Sequence, residues 1–455
     1  MVTRHRAILG LILLGNAVLF AGVDPPTRLA TAALALLLAL DLKRLPAVPR
    51  SHRLAAAGLL GLVAVQLTPL PEAVRRVLQP GFAEVMHGGW APLSLAPWAT
   101  VQVAASAVVA AVLALTAARV AATRSGLPLL LALLAGTGTL LAILGLAGEA
   151  GAPERVLLIR DNTGGGGPYG PYVNENHFAQ GIELTVPAAL VLLAVGARQL
   201  RQPGSRRQLA AVTVLGAAVA TAVATAALLR SGSRGGAMFL VAAAVLTLPL
   251  WLRPPRTAAR RWPAVVAAVL LLVVVGVLSW TRLPALEEGL KDLLVIEGVD
   301  GNDRWDLWAG TLASWRRSPV VGSGLGSYRH VIGLDKPATA SSVLEQAHND
   351  WLEWAATGGA AGVAVLGLGV AGVAAALRPR RVRRRRYELR YPLAAVALVM
   401  TATALHETVG FGLQTPLNRY LFAVWLGLLW GLGDRVVEGG VPASRREARP
   451  EGDAT

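Results

Sequence analysis

Apolar runs of about 17–23 residues recur along this chain, and each is long enough to cross roughly 30 Å of hydrocarbon as a helix. They fall near residues 7–23, 27–42, 54–70, 100–118, 126–148, 178–197, 208–229, 235–252, 263–281, 354–377, 391–411 and 420–434. Lipid offers a backbone no hydrogen-bonding partners, so repeated runs of this kind must satisfy themselves as helices. The expected fold is all-α: a polytopic membrane bundle of about twelve transmembrane helices, with one long external loop containing amphipathic helices. Composition agrees, with 54% of residues hydrophobic and only 15% charged, a charged share well below that of a soluble domain.

The net charge of +16 would suit a nucleic-acid partner, but its placement argues against one. With twelve spans, most Lys and Arg fall on one side: both termini and the loops near 43–53, 119–124, 198–207, 253–261 and 378–390. That asymmetry marks the cytoplasmic face. The run RPRRVRRRR (Arg378 to Arg386) then reads as a topology anchor at an anionic leaflet, since nothing domain-like or aromatic accompanies it. Domain boundaries follow: residues 1–281 carry helices one to nine, 282–353 form the long external loop, 354–435 carry helices ten to twelve, and 436–455 form a disordered cytoplasmic tail. The first span follows MVTRHR and is read as retained, because no convincing small-residue cleavage site precedes Asp24. The chain has no cysteine, which excludes disulfides, thiolate chemistry and Cys-zinc sites.

The external segments hold the chemistry-bearing residues. In the long loop, Trp305, Trp308, Leu312 and Trp315 are spaced as one helix face, with Asp303, Arg304 and Asp306 opposite, which predicts an amphipathic helix at the outer leaflet. The SPVVGSGLGS stretch that follows has no preceding strand and no P-loop lysine, so it reads as a flexible turn rather than a phosphate loop. Asn176, Gln180 and Glu183 share a face at i, i+4 and i+7 beside His177. Glu183 either faces a wet cavity or makes a hydrogen bond between helices. RSGSRGG (Arg230 to Gly236) is a short external turn with two arginines: Arg230 is placed to snorkel, while small residues around Arg234 leave room for an anion. His406 and Glu407 either line the same cavity or pair with each other. In AHNDWLEWAATGG, His348 and Asn349 stand where the long loop becomes the tenth span, with Trp351 and Trp354 at interfacial depth and Glu345 placed to orient the imidazole.

Arginines and one exposed histidine, with no metal-ligand spacing, suit glycosyl transfer from a lipid diphosphate. A diphosphate leaves as an anion and needs no general acid. Arg guanidinium forks stabilise its charge, and one neutral imidazole suffices as base for an acceptor hydroxyl. A lipid-linked oligosaccharide transporter is the alternative, but it would carry its cations inside the spans.

The stretches GPYVNENHFAQGIEL, SGSRGG, DRWDLWAGTLASWRRSPVVGSGLGSY and AHNDWLEWAATGG, with a weaker echo in PLSLAPWAT, resemble the O-antigen ligase family of membrane glycosyltransferases, which includes O-antigen and exopolysaccharide polymerases. The likeness spans roughly residues 90–435. It implies a bacterial inner-membrane enzyme of lipopolysaccharide or exopolysaccharide biosynthesis that takes glycan from undecaprenyl diphosphate at the periplasmic face. His348, in His-Asn-x-x-Leu-x5-Gly, matches the family's catalytic base; Arg234 and Arg304 match its diphosphate ligands, and Arg230 joins them as a candidate. Asn176, His177, Gln180, Glu183, Asn349, His406 and Glu407 are candidate glycan or cavity residues. No metal and no cofactor are implied. The acceptor is a glycan or lipid A-core, and other polysaccharide-assembly proteins are implied as partners. The Asn-x-Asn-His-Phe segment (Asn174 to Phe178) tilts the resemblance towards a polymerase over a ligase.

Overall fold

The computed structural model describes residues 2–42, 46–82, 88–162, 167–203, 207–252, 304–335 and 345–438. The expected ninth span, the loop from 282 to 303 and the tail beyond 438 lie outside the described residues. Within them, every expected span coincides with a helix. In chain order these are α1 (Val2–Val18), α2 (Pro25–Leu40), α3 (Arg50–Leu67), α4 (Glu72–Leu78), α5 (Pro97–Ala122), α6 (Gly126–Gly151), α7 (Glu175–Glu183), α8 (Val186–Leu200), α9 (Arg207–Arg230) and α10 (Arg234–Trp251). After the undescribed segment come α11 (Arg304–Arg317), α12 (Tyr328–Val331), α13 (Asp350–Ala376), α14 (Pro379–Arg383), α15 (Tyr387–His406) and α16 (Pro416–Glu438). Seven of the described helices, counting α7–α8 and α13–α14 as one each, are long and apolar enough to cross a membrane; α2 is a shorter apolar helix. Among the described residues, strand is confined to two tiny antiparallel pairs, Leu70–Pro71 with Trp90–Ala91 and Arg155–Val156 with Arg160–Asp161. The protein is an all-α polytopic membrane protein.

In lipid, helices gain little from burying apolar side chains against one another, so close packing of small residues holds the bundle together. The α5–α16 pair shows this: a Cβ on Gly427 would stand 2.0 Å from the Ala114 carbonyl oxygen, and one on Gly431 would stand 2.3 Å from that of Ala118. Trp425 on α16 is fully buried and donates its indole N–H to the Leu184 carbonyl, in the link between α7 and α8 (2.6 Å). The span α7–α8 is the most enclosed of the seven, with 72% of its apolar window buried, against 11% for α13–α14. The first runs through the middle of the bundle and the second along its rim.

α13 is not continuous. Gly359 sits at φ 63°, ψ −166° and breaks it one-third of the way along. A break in apolar surroundings exposes N–H and C=O groups that must find partners, and SPVVGSGLGS supplies them. Ala360 and Ala361 donate to the carbonyls of Pro319 (2.8 Å) and Val320 (3.0 Å), while Ser323 and Gly324 donate to those of Ala356 (3.1 Å) and Thr357 (3.0 Å). Gln66 on α3 closes the knot, donating to the Val321 carbonyl (2.7 Å) and accepting from the Leu325 N–H (2.9 Å). The segment expected to be a flexible turn is instead a buried plug, because its glycines let backbone approach backbone. A Cβ on Gly322 (φ 69°) would lie 2.2 Å from Thr357.

α11 forms where the tryptophan spacing predicts a helix, and its other face packs inward. Arg304, Leu307, Gly310, Thr311 and Ser314 are buried, and Trp305 is 56% exposed. The small-residue face packs inward, Leu307 against Tyr328, Ile332 and Ala347, since only small side chains allow the close approach at Gly310, whose Cβ would meet the Asp335 carbonyl at 2.5 Å. Arg304, buried on that face, therefore points into the protein.

Candidate active site

One end of the bundle gathers most of the candidate residues. α7 starts with Asn174, whose side chain caps the helix by accepting from the Asn176 N–H (2.8 Å). The predicted face then meets its partners in turn. Asn176 accepts a hydrogen bond from Ser233 (2.7 Å), Gln180 donates to Glu407, and Glu183 pairs with His406 Nδ1 (2.8 Å). His406 thus pairs with Glu183, while its neighbour Glu407 accepts from Gln180 one turn earlier on the same face of α7. Between the two readings of Glu183, the observed contact is the hydrogen bond between helices.

Ser233 also caps α10, accepting from the Gly236 N–H (3.2 Å). This lets α10 pack on α7 with Gly236 at the contact, where a Cβ would come within 2.4 Å of Ala179. Arg234 is the first residue of α10 and is exposed, where the helix N-terminus adds its own positive potential. Arg230, four residues earlier, is exposed and ion-paired with Glu149, which also accepts from the Tyr169 hydroxyl (3.0 Å). A diphosphate would have to displace that carboxylate to reach Arg230.

Phe411 is the hub. Its ring stands edge-on to His177 at 4.5 Å and to His348 at 4.8 Å between centroids, so α7 and the loop before α13 meet across one aromatic ring. His177 is held by Thr415 through Nδ1 (3.2 Å) and by Asn418 through its carbonyl (2.9 Å). Asn418, fully buried, also accepts from the Tyr172 hydroxyl (2.8 Å). The 407–415 loop that carries Phe411 is fixed by Arg419, which donates to the carbonyls of Leu413 (3.1 Å) and Gln414 (2.9 Å). Arg304 donates to the Val409 carbonyl in the same loop (2.8 Å).

His348 is half-buried, and its backbone is left-handed at φ 48°, a conformation that non-glycine residues adopt at a cost. Burial, and then the nearby Arg304 guanidinium, push its imidazole down to about 4, so it is neutral at pH 7 and able to accept a proton. Burial, with the Asp350 carboxyl next, holds Glu407 well above the usual carboxylate range. Asn349 caps α13 by accepting from the Leu352 N–H (3.1 Å). Glu345 does not reach the imidazole: it is exposed and paired with Arg329 (3.4 Å). Trp351 and Trp354 turn inward, donating to the carbonyls of Ala404 (3.1 Å) and Gly362 (2.7 Å). Among the described residues, no three His, Asp or Glu side chains converge as metal ligands.

Phe411, Glu353, Gln414 and Asn418 were absent from the sequence-derived site. Asn418 and Arg419 did leave a signal, as polar residues opening an apolar span; Phe411 left none, being one aromatic among many apolar residues.

Residues 217–367 match a family model described as O-antigen ligase, and no curated protein matches the chain. The match runs from within α9 to within α13 and includes Arg230, Arg234, Arg304 and His348. That stretch is thus similar to membrane glycosyltransferases of the O-antigen ligase and polymerase type, which act on lipid-linked glycans. The likeness over this stretch supports an O-antigen ligase family assignment.

Proposed function

We propose that this protein transfers glycan from undecaprenyl diphosphate to an acceptor sugar hydroxyl by a single inverting displacement, with His348 as base and Arg234 and Arg304 as diphosphate ligands. The observation that carries the proposal is the convergence on Phe411. The neutral His348 imidazole and the buried Arg304 guanidinium share one loop, and α7 ties that loop to the N-terminus of α10, where Arg234 stands. The acceptor oxygen attacks the anomeric carbon as its proton passes to His348. The bond from that carbon to the diphosphate breaks, and the arginines take up the charge of the leaving group. Phosphate oxygens and guanidinium forks suffice for this balance, without a metal or cofactor.

The excess of basic residues on the opposite side supports an external, periplasmic site with both termini cytoplasmic, and the family resemblance supports a bacterial inner membrane. Polymerisation is favoured over ligation to lipid A-core. The test is turnover of an undecaprenyl-diphosphate-linked repeat unit by the purified protein in lipid. Longer glycolipids without added acceptor would establish a polymerase. Product only on adding lipid A-core would establish a ligase. No product in either case, with the natural donor, would defeat the glycosyl-transfer reading.

A further inference from the structure

We propose that Glu353 is a positioning residue that sets the backbone of His348 and couples it to the loop carrying Phe411; this rests on His348 being the base. A left-handed histidine persists only where its neighbours over-determine it, and the chain is pinned on both sides of His348. On one side, Ala347 donates its N–H to Glu353 Oε2 (2.9 Å) and accepts from the Trp308 indole (3.1 Å). On the other, Asp350 donates its N–H to the carbonyls of Glu407 (3.0 Å) and Gly410 (3.2 Å). The Glu353 side chain grips both segments. Its Oε2 holds Ala347, and its Oε1 accepts from Gln414 Nε2 (3.0 Å), which also donates to Asp350 Oδ1 (2.8 Å). Gln414 belongs to the 407–415 loop, which places Phe411 against the imidazole and offers the Val409 carbonyl to Arg304. One carboxylate therefore links the base to the loop that seats the diphosphate arginine.

A carboxylate reaching back past a helix N-terminus could serve only to cap it, as in a capping box. The two roles separate experimentally, because misplacing a base by about 1 Å costs on the order of 100-fold in turnover without a comparable loss of binding. Glu353→Ala and Glu353→Gln are compared with the native protein for kcat, KM, the pH dependence of kcat/KM and Tm. Positioning predicts that Glu353→Ala loses about 30-fold or more in kcat with KM within about twofold. It also predicts that the acid limb of Glu353→Ala moves up from about 4 towards the ordinary histidine value, because the freed imidazole leaves its apolar seat. Glu353→Gln keeps one oxygen for the Ala347 N–H but turns an amide NH2 towards Gln414 Nε2, so its kcat and acid limb fall between those of the native protein and Glu353→Ala. An Ala variant whose acid limb stays in place, with kcat native or reduced only as its folded fraction falls, would overturn the proposal. If Glu353→Ala does not accumulate, Gln414→Ala takes its place; an unchanged kcat and limb there would overturn the proposal equally. His348→Ala is run alongside. Its full activity would refute the base reading itself, while an inactive His348→Ala beside a native-like Glu353→Ala would refute only the positioning role.

Discussion

Two glycine-rich turns, SGSRGG at Ser231–Gly236 and GSGLGS at Gly322–Ser327, look alike on paper and do opposite jobs. The first is an open corner. A Cβ added at Gly232 (φ 82°) would meet nothing within 4 Å, and Arg234 beside it is exposed. Ser231, Ser233, Gly235 and Gly236 are buried where α10 meets α7, leaving Gly232 and Arg234 exposed. The second turn is buried through most of its length, and its backbone replaces the helix hydrogen bonds lost at Gly359. Glycine leaves open space beside Arg234 in one place and allows close backbone contact in the other. What separates them is whether a neighbouring element has unpaired backbone groups to offer, which no local composition reports.

The largest effect that would sharpen this contrast is expected from Gly322→Ala. Its Cβ would meet the Thr357 backbone in a left-handed conformation, and the loss should exceed about 4 kcal/mol, read as absent folded protein after extraction. Gln66→Ala removes hydrogen bonds to Val321, Thr357 and Leu325. At about 1 kcal/mol each, it should lower stability by about 3 kcal/mol in a thermal unfolding assay, with turnover per folded molecule unchanged. Arg234→Ala should do the reverse: native Tm, but kcat/KM lower by about 10- to 100-fold, as expected for losing a charge-assisted contact of about 1.4–3 kcal/mol. Gly232→Ala should cost only about 1 kcal/mol, from its left-handed φ alone. If Gly232→Ala proved as damaging as Gly322→Ala, the distinction between the open and the packed turn would fail.

The helices were legible because period and length survive any tertiary context: the α7 face of Asn176, Gln180 and Glu183 was visible as a spacing, and it meets α10 and α15 as one face. Its partners were not. Nothing in the sequence distinguishes a Glu183–His406 pair from a His406–Glu407 pair, since the choice depends on how α15 ends relative to α7. The α11 face that packs inward was not visible either, for a related reason. Large apolar residues set the period, but small ones set which side packs in a bundle built on close approach. His348, Arg234 and Arg304 stood out because charged and titratable groups are sparse among apolar spans. Phe411, which brings His348 and His177 together, had no such contrast to reveal it.

The role of His348 as base is tested most directly by the pH dependence of undecaprenyl diphosphate release from a lipid-linked repeat unit, measured on the native protein and on His348→Ala of equal folded yield. A base held at about 4 by burial and by Arg304 is deprotonated above that value. The native rate should therefore rise through pH 4 and stay level through neutrality, with His348→Ala inactive throughout. Release by His348→Ala at the native rate would contradict it.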